Sequence, residues 1–99
     1  MIEKEPFSDR RQHIRLDMEG ELVDLIWQDE EKQQVEKVVC LDISRKGIKV
    51  KSQAKLEVYT PVEVILNPNE EDPMRLKARV IRNVLDRDGD SEIAMLFLE

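Results

Sequence analysis

The sequence predicts an all-β domain, most economically a small antiparallel barrel. Three observations lead there. Apolar residues alternate with polar ones over long stretches: Met74, Leu76, Ala78, Val80, Arg82 and Val84 share one parity, opposite Arg75, Lys77 and Arg79. Turn-forming clusters punctuate the chain at short intervals, among them Ser44-Arg45-Lys46-Gly47, Asn67-Pro68-Asn69 and Asp86-Arg87-Asp88-Gly89-Asp90. No window places apolar residues at helical spacing, and there is no internal repeat. Closure is preferred to a sandwich because it removes exposed edges from so small a sheet.

Residues 1–13 are polar, contain Pro6 and lack a sustained period, which reads as a flexible N-terminal arm; residues 14–99 read as the folded domain. From Ile14, the residues Ile14, Leu16 and Met18 share one parity, and Glu21 to Trp27 continues the strand after a bend at Gly20. Gln28 to Gln34 reads as a polar loop that makes a hairpin connection. Val35 to Ile43 has a near-continuous apolar centre, as expected of a strand covered on both faces. The turn that follows places Gly47 where a positive φ is expected.

Ile48 and Val50 alternate with Lys49 and Lys51, so this strand has one wet, basic face. Leu56, Val58 and Tyr59 lie in a connection with room for a turn of helix. Val62 to Leu66, Met74 to Val84 and Ile93 to Leu98 supply the remaining strands, giving six or seven in all.

At 99 residues the chain has room for one small domain. A net charge of −6 argues against binding to polymeric nucleic acid or to an anionic membrane, since both need a broadly basic surface. The lone Cys40, in the run Val38-Val39-Cys40-Leu41, excludes an intramolecular disulfide and reads as a buried small hydrophobe. With no apolar leader and no stretch of membrane-spanning length, a cytoplasmic location is expected.

Catalysis has little support. His13 is the single histidine and has no evident nucleophile beside it. Asp88-Gly89-Asp90 lacks the further ligands of a calcium loop and reads as a solvated hairpin tip, so no metal is expected. No glycine-rich phosphate loop leads into a helix.

The basic residues are segregated. Arg10, Arg11 and Arg15 fall in one acid-free run, and Arg45, Lys46, Lys49 and Lys51 in another, while acids collect at residues 29–31, 70–72 and 86–92. A local positive site on a negative body favours a small anion over a long polyanion. Arginine grips phosphate bidentately and stacks on a base, and an ionised carboxylate such as Asp42 accepts the donor edge of a guanine. The competing reading of Arg10 to Arg15 is a solvated charged face.

These residues carry a resemblance. Arg11-Gln12-His13-Ile14-Arg15 fits the RxxxR motif of PilZ domains, with Arg10 preceding it, and Asp42-Ile43-Ser44-Arg45-Lys46-Gly47 fits the family's (D/N)xSxxG motif. Ala78 to Arg82 resembles its penultimate core strand, and Ile93 to Phe97 its closing strand, with Ala94 where glycine is common. The resemblance implies a six-stranded antiparallel PilZ-type β-barrel that binds cyclic di-GMP, a bacterial second messenger, and has no enzymatic activity or further cofactor.

Carried over by position, Arg11 and Arg15 would clamp phosphates and guanines, Asp42 and Ser44 would bond a guanine edge, and Gly47 would shape the turn. Arg10 corresponds to an arginine that accompanies an intercalated ligand dimer. Arg82 lies near a position that can stack on ligand. The arm would be mobile when empty and close on binding, changing the surface offered to a separate output protein. Motility and biofilm control are family associations. The alternatives are a ligand-independent PilZ-like interaction adaptor and a barrel for single-stranded nucleic acid, the latter poorly served by only four aromatic residues.

Overall fold

A computed structural model describes residues 18–98. Six strands follow in order: β1 (Leu22–Asp29), β2 (Lys32–Ile43), β3 (Gly47–Ser52), β4 (Pro61–Leu66), β5 (Met74–Leu85) and β6 (Ser91–Phe97). They close into a barrel with the neighbour order β1-β2-β3-β6-β5-β4, every pair antiparallel. The expected barrel is therefore observed. No helix in this part of the chain is long and apolar enough to cross a membrane.

Alternation explains the core. Val23 and Leu25 of β1, Val38, Cys40 and Ile43 of β2, and Ile48 and Val50 of β3 point inward. Val62, Val64 and Leu66 of β4, Leu76, Ala78 and Val80 of β5, and Ile93, Met95 and Phe97 of β6 complete the filling. Met18 and Leu56, from outside the strands, are buried with them. Cys40 is fully buried, as expected of a small hydrophobe. Burial is the main influence on its thiol and pushes its pKa up to about 11.

Several local expectations are corrected. The polar stretch after β1 is not a long loop: Asp29 pairs with Lys32, and Glu30 and Glu31 alone make the turn, with φ of 51° and 72°. Positive φ at both central positions is the hairpin geometry that matches strand twist, here adopted by two glutamates instead of Asn-Gly. β2 is not covered on both faces, because a barrel wall has only one inner side; Val35 is exposed and Val39 and Leu41 are half-buried. Gly20, at φ 86°, makes the anticipated bend, and its N–H donates to the Cys40 carbonyl at 2.7 Å.

Residues 53–60 contain no helical turn; they hold a tight turn at Val58 and Tyr59, with Tyr59 at φ 79°. Side chains pin this segment. Asn83 Nδ2 donates to the Leu56 carbonyl at 2.6 Å, and Ser52 Oγ donates to Glu36 Oε1 at 2.6 Å. Glu36 Oε2 also accepts the Gln53 N–H at 3.1 Å.

Two register shifts interrupt the ladders. Between β2 and β3, pairing passes from Cys40↔Val50 to Asp42↔Lys49, leaving Leu41 extra. Between β5 and β6 it passes from Val80↔Met95 to Arg82↔Ala94, leaving Ile81 extra. One extra residue reverses the facing of everything after it.

A candidate ligand-binding face on the barrel wall

Asp42 has the parity of the buried Val38 and Cys40, and Arg82 the parity of the buried Ala78 and Val80. A regular strand would drive both charges into the core. The two shifts turn them out, so that Asp42 and Arg82 are both exposed and Ile43 takes the inward place after Cys40. The shift also corrects the single-parity reading of β5. Val84 faces solvent, and Asn83 turns to the Leu56 carbonyl.

Because Asp42 pairs with Lys49, Lys49 with Ala94, and Ala94 with Arg82, these four residues form one row across β2, β3, β6 and β5. Residues directly opposite on paired strands share a face. With strands about 4.8 Å apart, the row runs about 14 Å across the outer wall.

The turn at one edge of this row is built by Ser44. Its N–H donates to the Gly47 carbonyl at 2.9 Å, while its Oγ accepts the N–H groups of Lys46 and Gly47 at 3.1 and 3.3 Å. A serine hydroxyl closing its own turn in this way fixes the loop without a hydrophobic anchor. The Lys46 carbonyl is tied to β6 by the Phe97 N–H at 2.8 Å.

Gly47 does not adopt a positive φ; among the described glycines only Gly20 and Gly89 do. Its requirement is space. A Cβ on Gly47 would overlap the Met95 carbonyl oxygen, so only glycine lets β3 lie this close to β6.

Asp42, Ser44, Lys46, Gly47 and Lys49 line an open depression of about 270 Å³ together with Ile81, Ala94 and Leu96. Its rim is polar on the β2–β3 side and apolar where the exposed Ile81 and Leu96 project. That pairing suits a flat heterocycle, which needs donors and acceptors at its edge and apolar contact on its face. A second depression of about 160 Å³ adjoins it, lined by Lys49, Arg82, Val84, Glu92 and Ala94.

Four of the sequence-derived site residues, Asp42, Ser44, Gly47 and Arg82, thus gather on one wall. Arg10, Arg11 and Arg15, the arm of residues 1–13, and the proposed strand start at Ile14 and Leu16 lie outside the described residues. Sequence reasoning missed Glu92, Ile81 and Leu96, which carry no motif. Lys49 was visible only as part of a basic run.

That run is not uniformly available to an anion. Lys51 Nζ lies 2.9 Å from Asp88 Oδ2, 3.5 Å from Asp86 Oδ2 and 3.7 Å from Asp90 Oδ2. Asp86 Oδ1 also accepts the N–H groups of Asp88 and Asp90 at 2.8 and 3.0 Å, so the hairpin wraps an ammonium group. The Asp88 hydrogen bond, with the three carboxylates around it, raises the Lys51 pKa. At Asp86 burial opposes ionisation, yet the two N–H donors and Lys51 outweigh it and hold the carboxyl below its ordinary value. Among the described residues, Lys49 is an outward cation of β3 that makes no ion pair.

A larger recess of about 490 Å³, lined by Trp27, Asp29, Leu56, Glu57 and Thr60 among others, opens toward the Trp27–Asp29 end of β1, and of the described site residues Asp42, Ser44, Gly47 and Arg82 none lines it.

Comparison with protein families matches the PilZ domain over residues 9–99. The chain belongs to the PilZ domain family. PilZ domains are a cyclic di-GMP-binding family, a class of receptor modules and not of catalysts. No curated protein and no solved structure matches the chain. Within this PilZ domain the second motif is the turn just described, with Asp42 projected outward by one register shift and Ser44 holding the backbone of Lys46 and Gly47.

Proposed function

We propose that this PilZ domain is a cytoplasmic cyclic di-GMP receptor whose arginine arm closes over the bound dinucleotide and alters the surface presented to a separate output protein. The observation that supports this reading is the row Asp42, Lys49, Ala94 and Arg82 beside the Ser44 turn. It offers a carboxylate for a guanine N1–H and N2–H edge, exposed apolar side chains for the base face, and cations for phosphate.

In this account Asp42 accepts the guanine donors, Ser44 fixes the backbone around them, and Gly47 keeps the depression open. Arg11 and Arg15 reach the phosphates and bases from the arm. Arg10 draws in a second ligand molecule, giving an intercalated pair. Arg82 stacks on or bonds to the ligand from the opposite side of the row. Neutralising the arm's arginines with ligand phosphates removes their mutual repulsion, so binding and closure are coupled. No step involves bond making in the ligand.

Calorimetric titration with cyclic di-GMP tests the reading. Saturable binding at micromolar ligand, with two molecules per chain, is expected. A flat titration at that concentration would remove the receptor assignment.

A further inference from the structure

Resting on that reading, we propose that Lys49, Arg82 and Glu92 form a separate phosphate subsite on the barrel wall. It holds one phosphodiester of the cyclic dinucleotide and disfavours a terminal phosphate. Neither RxxxR nor (D/N)xSxxG contains these residues.

Ala94 is the starting point. It is the register partner of both Lys49 and Arg82, so two long cationic side chains flank one small residue on the same outward face. Their Cα atoms are two inter-strand spacings apart, about 10 Å, and both side chains line the 160 Å³ depression over Ala94. A phosphate above Ala94 lies within reach of both.

The second observation is electrostatic. Lys37 is paired with Asp24 at 3.0 Å, Arg75 with Glu63 at 2.9 Å, and Lys51 with the acidic hairpin. Among the described residues, Lys49 and Arg82 belong to the cations that make no ion pair, as do Lys46, Lys77 and Arg79, but Lys49 and Arg82 are the two that line the 160 Å³ depression together. Arg82 reaches this face only because Ile81 is extra in its strand. An irregularity that re-aims a charged side chain beside another unpaired cation is what an anion site requires.

Glu92 supplies the selectivity. It stands two residues before Ala94 on the same face and lines the same depression. Two cations and one carboxylate leave the subsite one net positive charge. A phosphodiester carries one negative charge, whereas a terminal phosphate carries about 1.5 to 2 near neutral pH. The subsite therefore matches a phosphodiester, of which the cyclic ligand has two and its opened, 5′-phosphorylated form one, and a terminal phosphate placed there meets Glu92.

Titrations of the full chain with cyclic di-GMP and with its linear 5′-phosphorylated form, at two salt concentrations, test this. Lys49→Gln and Arg82→Gln should each weaken cyclic di-GMP about tenfold and flatten the salt dependence. Glu92→Gln should narrow the preference for the cyclic form several-fold. Asp42→Ala serves as the reference for the motif site. Ligand binding that needs Asp42 but ignores both cation substitutions, or a cyclic-to-linear ratio unmoved by Glu92→Gln, overturns the subsite alone. Failure of the unsubstituted chain to bind overturns the receptor reading and this inference together.

Discussion

Asp42 and Arg82 sit at the two ends of one outward row, and each is there because its strand carries one extra residue before it. Leu41 is extra in β2 and Ile81 in β5. Deleting Ile81 should close the irregularity and leave Arg82 directly after Val80, still opposite Ala94 and facing outward. The expected result is a barrel that still unfolds cooperatively in urea, at a cost of about 1–3 kcal/mol for the altered local twist. Ile81→Ala, which keeps the register, should cost less than 1 kcal/mol because the side chain is exposed.

The Asp42 side chain is exposed, so its role can be separated from stability. Asp42→Ala should weaken cyclic di-GMP by about ten- to a hundredfold, the worth of one lost bidentate base contact. The urea midpoint should move by no more than about 0.5 kcal/mol equivalent. Lys32→Ala, at the far end of β2, should change neither.

Gly47 is the opposite case. Gly47→Ala forces a Cβ against the Met95 carbonyl and should cost about 1–3 kcal/mol, seen as a lower denaturation midpoint with an unchanged slope. Gly89→Ala meets no neighbouring atom and is opposed only by its φ of 85°, a cost of about 1–2 kcal/mol. Only the first should also weaken ligand binding.

The Lys51 nest predicts stability losses at both pH extremes. Asp86 has a folded pKa below its ordinary value, so its contribution is present above that ordinary value and fades as pH falls through the folded one. Lys51 has a folded pKa above its ordinary value, so its contribution is full below the ordinary value and fades as pH rises through the folded one. Thermal melts across pH should show both limbs. Lys51→Met should flatten the two together.

Much of the barrel is legible in sequence because burial imposes a two-residue period that each strand displays. The register shifts are not legible. Neither Leu41 nor Ile81 is a glycine or proline, so nothing local marks an inserted residue, and Arg82 reads as a charge among core positions. The Glu30-Glu31 turn is hidden for a related reason, since glutamate seldom adopts φ above zero. Gly47 is recognisable as obligatory, although the cause is the approach of Met95, a residue far along the chain. Lys51 reads as part of a basic face because the hairpin that neutralises it arrives only through the β3–β6 pairing.

The placement of ligand on this wall is tested most directly by backbone amide NMR during titration with cyclic di-GMP. The account predicts that the largest shift changes fall at Asp42, Ser44, Gly47, Lys49, Arg82 and Ala94, with slowed amide exchange in residues 10–15. Changes centred on Trp27, Leu56 and Thr60, with the Asp42 to Arg82 row unmoved, would contradict it.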